Sequence, residues 1–186
     1  PGVNYGQIFS LSFGNTTFVF LLFTFLMTYA LEQTPALRRF VARALGSSFA
    51  GKSPWHFIGA FYASVLAISL FISPTILFMI VFPIYEEIMV VLGLKKGDRE
   101  ASVLLIALFA TVAIGTAMTP INHVFSVTAM ALYKNATGIA ISNAQYMMIG
   151  IPAGLVLFIA MWAVLRTVWR VDLSNVEMKP LESLEA

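Results

Sequence analysis

The sequence predicts an all-α polytopic membrane protein, and three observations predict it. Apolar residues make up 59% of the chain, charged residues 11%, and the mean hydropathy is +0.87, where a soluble domain carries about 25% charged residues. Two runs, Ser53 to Tyr85 and Ala101 to Tyr133, hold no Lys, Arg, Asp or Glu over thirty-three residues each, and a bilayer's hydrocarbon core takes only about 20 helical residues. Each run is interrupted at its centre, the first by Ile72-Ser73-Pro74-Thr75 and the second by Gly115-Thr116-Ala117-Met118-Thr119-Pro120-Ile121-Asn122-His123. Proline lacks the N–H that a helix interior needs and glycine loosens the backbone, so each run predicts two helical arms around a break. Broken backbone at membrane depth needs protein or a wet cavity around it, and paired half-helices are how many secondary transporters hold ions and anions.

The same composition closes several classes of function. A net charge of +2 and a pI near 9.1 do not imply nucleic acid in a chain this apolar, because the positions of the basic residues matter more than their sum. The expected partner is the lipid bilayer. Without cysteine there is no disulfide framework and no thiolate chemistry. An enzyme needs a nucleophile with a base in reach or a metal cluster, and two histidines without a spanning acid pair make a poor stock, so no enzyme and no cofactor is expected. The chain starts at Pro1 with no basic region ahead of a short apolar core, which reads as an excerpt without a signal peptide.

Residues 1–52 are expected to form a scaffold span and a connecting helix. Polar Asn4, Gln7, Ser10, Ser12 and Asn15 precede a span from Asn15 to Glu32, rich in Phe and Leu. Thr34-Pro35 opens an amphipathic surface helix, Ala36 to Leu45, with Arg38, Arg39 and Arg43 on one side and Leu37, Phe40, Val41 and Leu45 largely opposite. Residues 53–93 are the broken hairpin and residues 94–138 a discontinuous transmembrane helix behind the cluster Lys95, Lys96, Asp98, Arg99 and Glu100. Lys134 to Gly138 reads as a polar turn. Residues 139–170 hold the last span, Ile141 to Leu165, closed by Trp162, Arg166, Trp169 and Arg170. Residues 171–186 are a polar, extended cytoplasmic tail.

Charge tests this topology, because cytoplasmic loops collect Lys and Arg. If the hairpin returns to its own side, the broken helix crosses once and the last span crosses back, every basic residue except Lys134 faces one side. Two full spans would serve the charge pattern as well as a re-entrant hairpin does. The re-entrant form is preferred because the tip carries no Lys, Asp or Trp to mark an outer interface, and because Ser69 and Ser73 suit a buried site.

Ser69-Leu70-Phe71-Ile72-Ser73-Pro74-Thr75, with Phe82-Pro83-Ile84 in the following arm, resembles the Ser-Asn-Thr hairpin of the divalent anion:sodium symporter family within the ion transporter superfamily. Leu31-Glu32-Gln33-Thr34 with Leu37-Arg38-Arg39 resembles that family's span end and basic connecting helix, and Gly115-Thr116-Ala117-Met118-Thr119-Pro120-Ile121-Asn122 is similar to its Gly-Thr-Pro-Pro-Asn break. Pro74 stands where the motif has Asn. The resemblance covers nearly the whole chain but only the first of the family's two inverted repeats, so it implies a second repeat missing from this chain, a homodimer and a bacterial cytoplasmic membrane. It implies half of a secondary transporter moving a di- or tricarboxylate or a similar anion by alternating access. Ser69, Ser73 and Gly115 would surround a coupling Na⁺, and Thr75, Thr119, Pro120 and Asn122 the substrate. An exchanger without sodium coupling and a channel-like pore subunit are the alternatives.

The chemistry of these residues is suitable without any charged side chain. Hard Na⁺ takes oxygen ligands, which hydroxyls and freed carbonyls supply, and half-helix N-termini present partial positive charge to a carboxylate. Taken singly, Ser and Thr in membrane helices usually bond the carbonyl one turn back and prolines often only kink a span. His123 is expected to be a packed, hydrogen-bonded residue and His56, beside Trp55, a headgroup-level one. Glu86 and Glu87 lie near the charged cluster and are expected in water. Gly150-Ile151-Pro152-Ala153-Gly154 predicts close helix packing in the last span.

Overall fold

A computed structural model of the chain describes residues 4–14, 16–32, 34–121 and 123–173. Among these there are eight α-helices and no strand: α1 Tyr5–Ser12, α2 Thr16–Glu32, α3 Ala36–Leu45, α4 Pro54–Ser69, α5 Pro74–Val91, α6 Arg99–Ala117, α7 Val124–Thr137 and α8 Asn143–Thr167, with a 3₁₀ turn at Ala50–Lys52. By length and composition α5, α6 and α8 are each able to cross a membrane.

The helices begin where local chemistry lets them. Ser53 caps α4 by accepting from the His56 amide, and Pro54 follows at the first helical position, where no N–H is missed. Ser142 and Gln145 form a reciprocal capping box at α8. That box starts α8 at Asn143 rather than at the Ile141 expected from the uncharged run. The expected polar turn at Lys134 to Gly138 is instead the last turn of α7, since Lys134 suits the negative end of a helix and Gly138 closes it with a φ of 75°. Residues of the expected polar approach to the first span form α1, with its own Asn4–Gln7 capping box.

α4 and α6 make the centre. α3 and the 3₁₀ turn pack on α4, α5 and α8 pack on α6, and α2 touches α7. Phe57, Phe61, Tyr62 and Val65 of α4 meet Leu104, Ala107, Leu108 and Val112 of α6, while Leu77, Val81, Ile84 and Ile88 repeat along one face of α5. Tyr62 Oη donates to the Leu104 carbonyl at 2.6 Å, and Tyr85 Oη donates to that of Ala101. Both hydroxyls thus close polar contacts that lipid would leave open. Leu37, Val41 and Leu45 bury one stripe of α3, but Phe40, expected with them, is 48% exposed. Of α8 only Gly154 and Leu165 are buried. An apolar helix so bare in this chain is suited to lipid or further protein.

The ends of the helices sort to a common pole. Trp55 at the start of α4 meets Trp162 near the end of α8, ring centroids 5.4 Å apart, and Arg99 at the start of α6 donates to the Trp169 carbonyl at 2.6 Å. Val171 and Leu173 are buried, so the expected extended tail begins as packed chain; its remainder lies outside the described residues.

Candidate functional site where the two breaks meet

The first uncharged run breaks at residues 70–73, between α4 and α5, and the second at residues 118–123, between α6 and α7. The second break is shorter than its sequence implies. Gly115 and Thr116 remain helical in α6, because the Thr116 hydroxyl bonds back to the Val112 carbonyl at 2.8 Å and Pro120 removes an amide only a turn later. The first break is likewise displaced: Pro74 occupies the first position of α5, so Thr75 is helical.

The two breaks touch. Thr119 Oγ1 donates to the Leu70 carbonyl at 2.7 Å and accepts from the Ile121 amide at 3.3 Å. One turn below, Ser69 ends α4 directly over Gly115 of α6. A Cβ added at Gly115 would stand 1.6 Å from Ser69 Oγ and 2.8 Å from Ser69 Cβ, so no side chain fits there unless α4 and α6 part. Ser69 Oγ itself donates to the Leu66 carbonyl at 2.6 Å. Ser69, Gly115, Thr119 and Pro120 are all buried.

α8 completes the surround. A Cβ at Gly150 would lie 2.6 Å from the Met118 carbonyl oxygen, and one at Gly154 would lie 2.2 Å from Met118 Cγ. These glycines let the second break sink into α8, the close approach expected of that segment. Tyr146 Oη donates to the Ala117 carbonyl at 3.0 Å and lies 2.9 Å from Ser126 Oγ, which is 3.1 Å from His123 Nδ1. His123 is therefore joined to a chain of hydroxyls that ends on a carbonyl freed by the break. Sequence reasoning missed Ser126 and Tyr146. Ser126 was within reach as the residue one turn past His123, whereas nothing in the sequence ties Tyr146 to Ala117.

The expected site residues separate into groups. Ser69, Gly115 and Thr119 come together, with Pro120 beside them in the break. Ser73 is half-buried at the N-cap of α5 and makes no side-chain capping bond. Thr75 is exposed on the first turn of α5 and shares none of these contacts. Asn122 lies outside the described residues. His56 Nδ1 pairs with Ser53 Oγ at 2.7 Å, and Glu86 is exposed.

Chemically the junction gathers oxygen atoms and helix ends. A hydroxyl that donates its proton to a carbonyl keeps lone pairs for a cation. The N-termini of α5 and α7 lack side-chain caps among the described residues, and such ends attract anions.

With all its regular structure helical among the described residues and three helices able to cross a membrane, the chain is of the α-helical membrane class, and its two interruptions meet within the bundle. No protein-family profile, curated protein or solved structure matches the chain.

Proposed function

We propose that this chain is one inverted repeat of a secondary transporter of the divalent anion:sodium symporter kind, carrying a di- or tricarboxylate or similar anion across a bacterial cytoplasmic membrane by alternating access. The supporting observation is the contact between the breaks, Thr119 to Leu70 and Ser69 to Gly115. Its depth adds to this reading. The contact is level with Gly150 and Gly154 of α8, eight to twelve residues before the interfacial anchor Trp162, or about 12–18 Å along a helix. Half of a hydrocarbon core is about 15 Å. α4 and α5 then form a re-entrant hairpin whose tip stops at mid-membrane, although α5 is long enough to cross, and α6 with α7 forms one discontinuous span. A second repeat, or a second copy of the chain, would close the other side of the site, which suits the bareness of α8.

Na⁺ would be held by Ser69, Ser73 and carbonyls near Gly115, and the anion by Thr75, Thr119, Pro120, Asn122 and the half-helix ends. Pro74 favours a second reading. It offers no side-chain oxygen where the family's motif has an amide, which weakens the ion site and points to exchange without sodium.

Uptake of a radiolabelled dicarboxylate into proteoliposomes under an imposed Na⁺ gradient tests both. Concentrative uptake is expected, with Thr75→Val abolishing it while the thermal midpoint is unchanged. Normal uptake by both Thr75→Val and Thr119→Val would show that these hydroxyls are structural. Pro74→Asn should raise sodium dependence. Undiminished exchange at zero sodium would select the exchanger.

A further inference from the structure

Away from the junction, at the pole where α4 begins and α8 ends, there is a cavity of about 650 Å³. Trp162 and Arg166 lie one turn apart on α8 and so share a face. The Arg166 guanidinium sits 4.7 Å from the ring centroid of Trp55 and 6.0 Å from that of Trp162, in cation–π range of both. No described carboxylate pairs with it, and it remains exposed. The rest of the lining is mostly apolar: Phe40 and Ala44 of α3, Phe49, and Ala60 and Ala63 of α4. The hydroxyls in these walls are already used, Ser47 Oγ on the Ala44 carbonyl and Ser64 Oγ on that of Phe61, and His56 Nδ1 pairs with Ser53, so the polar groups left to a ligand lie beside Arg166, at the rings of Trp55, Trp162 and His56.

The arrangement asks for a ligand with one anionic group and a long apolar body. A peptide would bring amides and carbonyls along its whole length, which the apolar stretch of Phe40, Ala44, Phe49, Ala60 and Ala63 cannot answer, and a free anion would leave that stretch unused. The cavity also accounts for Phe40, which stands at the edge of the apolar stripe of α3 and, left exposed by the packing of Leu37, Val41 and Leu45, lines the trough beside Ala44. Two Trp and several Arg at one pole mark a membrane–water interface, and basic pockets between membrane helices at that level take anionic lipid headgroups. We propose that this cavity is a binding site for an anionic phospholipid, its phosphate on Arg166 and an acyl chain along Phe40, Ala60 and Ala63. This does not rest on the transport reading.

Quenching of tryptophan fluorescence by bromine-labelled lipid tests it. In a Trp169→Phe background only Trp55 and Trp162 emit, and the protein in detergent micelles is titrated with phosphatidylglycerol or diacylglycerol carrying brominated acyl chains. Phosphatidylglycerol should half-saturate at a concentration at least about tenfold below diacylglycerol, Arg166→Gln should remove most of that difference, and Ala63→Phe should prevent quenching by filling the trough. Both variants are compared only as monodisperse protein, and the contrast between lipids on the parent needs neither. Equal quenching by the two lipids would overturn the proposal. So would an unchanged Arg166→Gln titration, or displacement of the lipid by inorganic phosphate alone, which would make this a free-anion site. Persisting lipid quenching in Ala63→Phe together with a change in oligomeric mass would assign the trough to a second copy of the chain instead.

Discussion

The two breaks look alike in sequence, each at the centre of an uncharged run of the same length, yet they are built differently. The turn at residues 70–73 is partly open, with Phe71 55% exposed, and what it contributes to the contact is a backbone carbonyl and the end of a helix. The second break is enclosed where it leaves α6, with Met118 and Thr119 each 3% exposed and Pro120 buried, and glycines on α6 and α8 let the neighbouring elements close around it. In lipid, where hydrophobic burial does not drive helices together, the enclosed break is held by close packing and hydrogen bonds.

The largest effect expected from attacking this difference is at Gly115. Gly115→Val forces α4 from α6 and should lower stability by about 3 kcal/mol or more, with loss of the monodisperse species on gel filtration. Ser69→Gly in the same chain should recover part of it, since the Leu66 carbonyl oxygen stays 3.1 Å from the new Cβ. Full recovery would mean that Ser69 alone sets the contact.

Gly150 and Gly154 hold the second break from the α8 side. Either glycine changed to Ala should cost about 1–3 kcal/mol by overpacking. Met118→Ala should rescue Gly154→Ala, whose clash is with a flexible side chain, and should leave Gly150→Ala unrescued, because its clash is with the Met118 carbonyl. Thermal midpoints of the four single and double variants measure this. Rescue of both would place the contact in the side chain alone.

Thr119→Val leaves the Leu70 carbonyl without its partner and should cost about 1–2 kcal/mol, with Thr119→Ser nearly neutral. Equal midpoints for the two would remove this hydrogen bond from what holds the breaks together. The smallest effect is expected at Thr75, exposed on the open side: Thr75→Val should change stability by less than about 0.5 kcal/mol, so any loss of uptake in that variant reports on ligand contact rather than on folding.

Much of the candidate site was legible because prolines and polar residues inside uncharged runs have few places to go. Ser73-Pro74 and Thr119-Pro120 stand out against Phe, Leu and Ile, and the breaks fall there. Their edges were less legible. Gly115 and Thr116 read as part of the break, yet a threonine bonded to the carbonyl a turn back is at home in a helix, and the glycine serves proximity rather than flexibility. Phe40 follows the apolar stripe of α3 by periodicity but turns to a cavity that only α4 and α8 create.

Class and punctuation are legible in the sequence alone: apolar composition points to a membrane protein, the uncharged runs to helices, and Ser73-Pro74 and Thr119-Pro120 to interruptions, since these follow from solvation and from a missing N–H set among polar residues, whereas Pro83 and Pro152, flanked by apolar residues, stay inside α5 and α8. Which interruption meets which is a matter of how the helices pack. The pairing of Thr119 with Leu70, the seat of Ser69 on Gly115 and the reach of Tyr146 to Ala117 join residues far apart in the chain, and such contacts depend on how helices cross, which no local pattern of hydropathy encodes.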